Sequence, residues 1–263
     1  MNYTPRPYPE SEKTVKVRDY KKRVRRHRRN RKIMLFLFLF AMLLCIMFFA
    51  PWFKINKITV EGASHVTEQS VISASTIGYG RNVFRTSIKK AERGIKALPY
   101  VGEVKIVRKF PATIKITVTE CSVFGYIKLK NAYVYIDKNG KMLEQSNKPP
   151  ADSVPAIEKF NLEKFEAGSQ FKSKEPGKEQ YIKDLFAIFA QNGMINRISV
   201  INIPNVTDLS FTIDNKLEVY VGENTNLDYK INFLAVKSYE SLGESTRGHL
   251  NVSSGNKAVY KQQ

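Results

Sequence analysis

The sequence predicts an α+β protein: an N-terminal transmembrane helix, a compact β-α-α-β-β unit, and a distal mixed β-sheet domain with two helices. The first observation is the segment 33–53, IMLFLFLFAMLLCIMFFAPWF, which has no charged residue. As a helix it would be about 31 Å long, close to the thickness of a bilayer hydrocarbon core. The second observation is that the rest of the chain alternates between strand-like and helix-like apolar patterns, with turn residues between them.

Much of the positive charge lies directly before the apolar segment. The formal net charge is +19, and the stretch 21–32, KKRVRRHRRNRK, holds nine Lys and Arg. Basic flanks stay in the cytoplasm, so we expect residues 1–32 inside and the bulk of the chain outside, in single-pass type II orientation. The apolar run is longer than that of a cleaved signal peptide, which favours a retained anchor. An alternative interpretation of the basic run is a nucleic-acid-binding tail. Membrane insertion already accounts for these charges, because it requires a basic flank beside the apolar segment.

The cysteines and histidines favour a chain without a disulfide framework and without catalysis. Cys45 lies inside the anchor and Cys121 outside it, so the two cannot pair within one chain. Cys121 has no nearby His and is expected to fill a small apolar space. His65 and His249 lack metal-ligand spacing. The sequence therefore predicts no catalytic residue, no metal site, no cofactor and no small-molecule substrate.

The region 54–121 has the pattern β-α-α-β-β. Alternating residues predict a strand near 55–60, and Thr67 is a good N-cap for the helix that follows. A second helix is predicted from about Ser87 to Leu98, where Pro99 ends it. Two alternating strands follow around 104–106 and 114–118. Three strands and two helices can share one core, with the helices covering one face of the sheet.

Four segments of this region carry a more specific pattern. They are Ile58-Thr59-Val60-Glu61-Gly62, Gly80-Arg81-Asn82-Val83-Phe84, Val104-Lys105-Ile106-Val107-Arg108-Lys109-Phe110-Pro111 and Thr113-Ile114-Lys115-Ile116-Thr117-Val118-Thr119-Glu120. In this order, directly after an outward-facing anchor, the region resembles a POTRA domain, and the segments resemble those of the FtsQ/DivIB family of bacterial division proteins. The chain departs from that family at 121–123, where Cys-Ser-Val stands in place of Arg-x-Pro.

The region 122–263 is predicted to be a strand-rich second domain. It opens with a hairpin centred on Asn139-Gly140, which also resembles the start of the second FtsQ domain. Apolar stripes predict helices at 176–193 and 227–242, the second with Asn226 as its cap. Asp214-Asn215 is predicted to form the turn between the strands at 208–213 and 216–221. The remaining predicted strands lie at about 197–203, 208–213, 216–221, Gly248–Val252 and Lys257–Lys261.

The resemblance implies a non-enzymatic scaffold of the divisome in the cytoplasmic membrane, enriched at the septum. It implies binding to bitopic partners of the FtsL and FtsB/DivIC types, with a septal peptidoglycan synthase as a further candidate partner. In that family the last strand region of the distal domain accepts a partner strand, which points here to Leu250, Val252, Val259 and Tyr260. The alternative for Leu250 and Val252 is that they only complete the core. Val259→Pro is expected to weaken partner binding.

Two other functions fit the sequence less well. A POTRA-containing protein that assists export or envelope assembly would usually carry several POTRA copies and a long β-barrel. A membrane-bound sensor or a wall-binding enzyme is the third interpretation. No interaction with nucleic acid is expected.

Overall fold

The structure is a computed structural model that describes residues 30–47, 49–151, 153–243 and 245–263. It divides into two compact units. Of the described residues, the first contains those within 30–57, 78–86 and 108–114, and the second contains those within 58–77, 87–107 and 115–263. The predicted basic tail lies outside the described residues except for 30–32.

The first unit contains the predicted anchor. Helix α1 (Asn30–Met47) has a mean hydropathy of 1.9 and is long and apolar enough to cross a membrane. The apolar segment was predicted to continue as helix to Phe53, but Pro51 opens a short 3-10 turn (Pro51–Phe53) instead. Proline lacks an N–H group, so it cannot continue the hydrogen-bond ladder of the preceding helix.

Hydrogen bonds within the first unit join the end of α1 to the loop 78–86. The Asn82 side-chain amide donates to the Met47 carbonyl at 3.2 Å. The Val83 N–H donates to the Phe53 carbonyl, and the Ile55 N–H to the Arg81 carbonyl, both at 2.8 Å. These bonds satisfy one of the orphan carbonyls at the helix end and fix the chain where it leaves α1.

The predicted β-α-α-β-β order is confirmed. Thr67 and Ser87 are the N-caps of α2 and α3, with side chains that accept from Ser70 N–H and Lys90 N–H. The helices approach closely at Gly94, where a Cβ would lie 2.1 Å from the Ala74 carbonyl oxygen. The sheet order is β1-β3-β2. The elements are β1 (Lys57–Glu61), α2 (Glu68–Ser75), α3 (Ile88–Lys96), β2 (Val101–Lys109) and β3 (Thr113–Glu120).

Glu120, at the end of β3, organises the loop that leads into α2. Its carboxylate accepts from the N–H groups of Ser64, His65 and Val66 at 2.7, 2.8 and 3.1 Å. It also contacts the His65 ring nitrogen Nδ1 at 2.9 Å. Burial alone would raise the pKa of Glu120, but the hydrogen bonds from His65 and the three backbone groups outweigh it and lower this pKa.

The second, larger sheet has nine strands in the order β12-β11-β10-β9-β8-β7-β4-β5-β6. Neighbouring strands are antiparallel except at β10–β11, β4–β7 and β7–β8, which are parallel. The strands are β4 (Gly125–Lys128), β5 (Tyr133–Ile136), β6 (Met142–Ser146), β7 (Ala156–Glu158), β8 (Ile198–Asn205), β9 (Asp208–Ile213), β10 (Leu217–Gly222), β11 (Gly248–Asn251) and β12 (Val259–Gln262).

Strand β7 was missed by the sequence analysis, although it joins the two halves of this sheet. It lies between β4 and β8 and pairs in parallel with both. The sequence does not predict this strand, because three residues are too few to show an alternating pattern. The strand forms because β4 and β8 supply its hydrogen bonds. The predicted Asn139-Gly140 hairpin is present, but only Gly140 has positive φ. The Asp137 carboxylate accepts from the N–H groups of Asn139 and Lys141 at 2.8 Å.

Helix α4 (Lys178–Gln191) packs its apolar face onto the large sheet. The Phe186 ring lies edge-on to Phe124, with centroids 5.0 Å apart, and Phe189 meets Phe211 at the same distance. The stripe predicted from the sequence is buried in full, as Tyr181, Ile182, Leu185, Phe186, Ile188 and Phe189.

The predicted helix at 227–242 is interrupted by a π-helical segment. It consists of α5 (Leu227–Tyr229), the π-helical segment Lys230–Val236 and α6 (Lys237–Leu242). Asn226 precedes it with positive φ and makes no side-chain cap bond, contrary to the predicted cap. π-helical segments are rare and often lie at functional sites.

Lys141 is a buried side chain that joins the large sheet to the carbonyl groups after α3. Its ammonium group donates to the carbonyls of Lys96 at 2.8 Å, Leu98 at 2.5 Å and Val101 at 2.8 Å. Burial lowers the pKa of Lys141. At the same place a Cβ on Gly168 would lie 1.9 Å from the Ala97 carbonyl oxygen, so the chain approaches there only as glycine.

We expect Lys141→Met to reduce the free energy of unfolding by about 2–4 kcal/mol, because it leaves buried carbonyl groups without a donor. The measurement is urea denaturation of the full-length chain in detergent micelles. Lys138→Met is the matched control, because Lys138 is exposed on the same hairpin. Equal stability of the two variants would contradict the role given to Lys141.

We expect Glu120→Gln to reduce the free energy of unfolding by about 1–3 kcal/mol at pH 7. The folded pKa of Glu120 lies below the unfolded value of about 4.3, so its contribution is complete above that pH and is lost as the pH falls through the folded pKa. Denaturation at pH 7 and pH 3 should therefore show a gap between wild type and variant that narrows in acid. Glu103→Gln, on an exposed position of β2, serves as the control, and a gap independent of pH would refute this assignment.

Candidate partner-strand interface

Strand β12 is the last strand of the large sheet and pairs on one side with β11. The register joins Gly248 to Gln262, Leu250 to Tyr260 and Asn251 to Val259. In the part of the chain that the structure describes, no strand pairs with the other side of β12. A strand edge of this kind presents N–H and C=O groups that can pair with another chain.

The hydrogen bonds of β11 determine which residues of β12 face outward. Gly248 N–H donates to the Lys216 carbonyl and Val252 N–H to the Tyr220 carbonyl, so the even-numbered residues of β11 bond to β10. Successive residues of a strand direct their backbone groups to alternate sides. His249 and Asn251 of β11 therefore bond to their partners in β12, Lys261 and Val259. The N–H and C=O groups of Tyr260 face the open edge.

The structure brings the four predicted contact residues to this end of the sheet. Leu250 and Val252 are 1% and 0% exposed and complete the core in the free chain. Val259 is 53% exposed. The Tyr260 hydroxyl donates to the Arg247 carbonyl at 2.8 Å, which holds the ring beside β11. Partner contact by these four residues stays a prediction.

A groove of about 280 Å³ runs between α6 and the last two strands. Its floor is apolar and its α6 wall carries hydroxyl groups and one Lys. The lining residues are Lys237, Ser238, Ser241, Leu242, Leu250, Ala258 and Tyr260.

Three side chains fix α6, and with it one wall of the groove. Arg197 donates to the Asp214 carboxylate at 2.7 Å and to the Tyr239 hydroxyl at 2.6 Å. The guanidinium also lies over the Tyr239 ring, 4.8 Å from its centroid. The hydrogen bond from Arg197 lowers the pKa of Asp214, although burial opposes the shift. Asp214 lies in the β9–β10 turn, so the network ties that turn to α6.

The π-helical segment is held by a buried ammonium group and presents aromatic rings to solvent. Lys230 donates to the carbonyls of Val221 at 3.2 Å and Glu223 at 3.0 Å, and burial lowers its pKa. Tyr229 and Phe233 stack with centroids 5.3 Å apart, and both are exposed. The ammonium group of Lys237, which lines the groove, lies 4.6 Å from the centroid of the Phe233 ring.

Exposed cations surround the open edge. Arg247, Lys257 and Lys261 lie on or beside the last two strands, and all three are exposed. The nearby carboxylate of Glu218 is already paired with His249 at 3.0 Å. An approaching strand with acidic side chains would therefore meet a favourable field.

Sequence reasoning located the strands but missed the groove and the groups that support it. Nothing in the sequence marked Arg197 as a half-buried hydrogen-bond donor or Lys230 as a buried one, because each stands in an ordinary polar position of its pattern. The one available signal was the Asp214-Asn215 turn, which was predicted, and both residues have positive φ.

The described residues contain no group of three or more His, Cys, Asp or Glu that could hold a metal ion. Cys121 is half-buried, and burial raises the pKa of its thiol.

Comparison with known proteins identifies the first domain and the relatives of the whole chain. The FtsQ-type POTRA domain matches residues 53–120. DivIB of Clostridium botulinum is 26% identical over 222 residues, which cover 84% of this chain and 86% of that protein. FtsQ of Corynebacterium glutamicum is 28% identical over 188 residues, which cover 71% of this chain and 79% of that protein.

A solved structure of the major extracytoplasmic domain of DivIB from Geobacillus stearothermophilus has 14% identity and a TM-score of 0.26, covering 40% of this chain and 80% of that one. So low a TM-score carries no information on the present arrangement. The alignments with DivIB and FtsQ extend over both the POTRA region and the region that forms the large sheet. The chain is therefore similar over most of its length to the cell division proteins DivIB and FtsQ, and its residues 53–120 match the FtsQ-type POTRA domain.

Proposed function

We propose that this protein is a non-catalytic scaffold of the septal division machinery, which binds bitopic partners of the FtsL and FtsB/DivIC types outside the cytoplasmic membrane. The observation that carries the proposal is the open edge of β12, the last strand of the nine-stranded sheet. A partner strand would complete the ladder there by β-augmentation, with backbone hydrogen bonds supplying affinity and side-chain pockets supplying specificity.

The opposite edge of the sheet supports the choice of β12. There the start of β6 is covered by the chain at 168–171: Met142 N–H donates to the Ser169 carbonyl and Gly168 N–H to the Met142 carbonyl, both at 2.8 Å. Lys141 also forms an antiparallel bridge with Gln170. Covering an edge with a loop prevents pairing with other chains. Strand β12 is therefore the better acceptor of the two.

The proposed arrangement follows the order of the chain. A basic tail at 1–32 lies in the cytoplasm, and the segment 33–53 crosses the membrane once. A POTRA domain at 54–121 and a distal domain at 122–263 then lie outside. The basic run before α1 supports this orientation. The proposed location is the division septum, because the relatives are named as cell division proteins.

The partner strand we propose is acidic and carries one apolar side chain. Arg247, Lys257 and Lys261 favour negative charge along the open edge. The groove beside Leu250 and Tyr260 has room for one apolar group. Both bitopic partners and a septal peptidoglycan synthase remain candidates for the strand's source.

The backbone of Tyr260 provides a direct test. Tyr260→Pro removes both the tyrosine ring and the outward N–H group. Tyr260→Ala removes the ring but keeps this N–H group. We expect the Pro variant to bind co-expressed partners about tenfold more weakly than the Ala variant, measured by co-purification from membranes. Equal binding by the two variants would rule out pairing at this edge. Val259→Pro is less suitable, because the Val259 N–H faces β11 and its loss would disturb β12 itself.

Side-chain contact at the edge is tested with two exposed valines. Val259 is 53% exposed on β12, and Val206 is 40% exposed between β8 and β9. We expect Val259→Asp to lower partner binding about tenfold, because it places a charge in the interface, and Val206→Asp to leave binding unchanged. Titration of the purified full-length chain with partner gives both values, and a loss common to both variants would refute a specific contact.

A further inference from the structure

The first unit carries a cationic and aromatic surface around the end of α1. Its segments 49–57, 78–86 and 108–114 contain six Lys and Arg and no Asp or Glu. Exposed aromatic rings lie among these cations, with exposed fractions of 77% for Phe49, 77% for Trp52, 60% for Tyr79 and 59% for Phe110. Tryptophan and tyrosine rings, such as those of Trp52 and Tyr79, are enriched where a transmembrane helix leaves the hydrocarbon region.

Side-chain packing within the first unit holds these segments in a fixed arrangement. The Phe84 ring lies 5.2 Å from Phe53 and 5.1 Å from Phe110, measured between centroids. Arg108 donates from Nε to the Val83 carbonyl at 2.9 Å and from Nη2 to the Thr86 carbonyl at 2.8 Å. The loop 78–86 and the turn 108–111 are thereby fastened together, and Asn82 bonds directly to the last turn of α1. The surface is thus built at the level where α1 ends.

A cavity of about 310 Å³ lies in this surface, lined by Leu44, Cys45, Phe49 and Arg85. Three of these side chains belong to the apolar segment and the fourth is a guanidinium. Arg85 is exposed and makes no ion pair with the described part of the chain. An apolar wall along the helix with one cation at its end matches the chemistry of a phospholipid, which has an acyl chain below a phosphate.

We infer that this surface binds anionic phospholipid in the leaflet at the C-terminal end of α1. Arg85 receives the headgroup phosphate, and an acyl chain lies along Leu44, Cys45 and Phe49. Lys54 and Lys109 are exposed and add attraction for net negative lipid, since no acidic residue in these segments opposes them. The inference rests on the proposed single-pass topology and is independent of the partner strand.

Trp52 is the single tryptophan of the chain and reports on this site directly. The full-length protein is placed in phosphatidylcholine vesicles that contain a fixed fraction of brominated lipid, which quenches tryptophan fluorescence at short range. Brominated phosphatidylglycerol and brominated phosphatidylcholine are compared at equal mole fraction. An attraction of about fivefold per interfacial cation predicts that phosphatidylglycerol quenches Trp52 at least fivefold more effectively.

The double variant Arg85→Gln with Lys109→Gln is expected to lower this ratio to near one. The matched control, Lys90→Gln with Arg93→Gln, removes the same charges from exposed positions on α3 and should keep the wild-type ratio. A ratio of one in the wild type, or an unchanged ratio in the Arg85 and Lys109 variant, would overturn the lipid site.

The outcome separates this inference from the proposed function. If neither brominated lipid quenches Trp52, and a reporter fused after Gln263 is active in the cytoplasm, the topology itself fails and the lipid site with it. If both lipids quench equally, α1 spans the bilayer and only the lipid site is lost. Loss of partner binding in the Tyr260→Pro variant with lipid preference intact would leave both proposals standing.

Discussion

The constraint behind most of this structure is that backbone carbonyl groups at the ends of strands and helices need donors when they are buried. Three buried lysines supply them in the second unit. Lys141 bonds to the carbonyls after α3, and Lys230 bonds to those at the end of β10. Lys178 is 0% exposed and donates to the carbonyls of Pro204 at 2.6 Å and Lys159 at 3.2 Å, with Glu175 beside it at 2.7 Å.

An ammonium group suits this task because it offers three donors on a flexible stem that can pass through an apolar layer. Removing such a group leaves several carbonyls desolvated at once, which is more damaging than the loss of one neutral hydrogen bond. The same lysines therefore fix the positions of elements that carry function. Lys230 holds the π-helical segment that leads into α6, and α6 forms one wall of the groove beside β12.

The open edge of β12 lies outside this constraint, because its residues are largely exposed and their outward backbone groups can bond to water. At the other end of the sheet, the segment 168–171 covers the start of β6, whereas the outward backbone of β12 is available to a second chain. An edge left open beside exposed cations and a preformed groove is suited to a specific partner, because geometry and charge both select what pairs there. In the first unit, a carbonyl at the end of α1 also receives a side-chain donor, because the Asn82 amide bonds to the carbonyl of Met47.

The sequence by itself determined the apolar helix, the β-α-α-β-β order, the cap at Thr67, the start of α3 near Ser87, the turn at Asp214-Asn215 and the buried stripe of α4. Each of these features depends on the pattern of a few neighbouring residues, because such patterns determine local secondary structure and which face of an element is buried. Only the tertiary structure decided the existence of β7, the π-helical segment, the burial of Lys141 and Lys230, and which backbone groups of β12 face outward. These features depend on neighbours that are distant in the chain. The local sequence around a residue does not indicate which distant group will form hydrogen bonds with it.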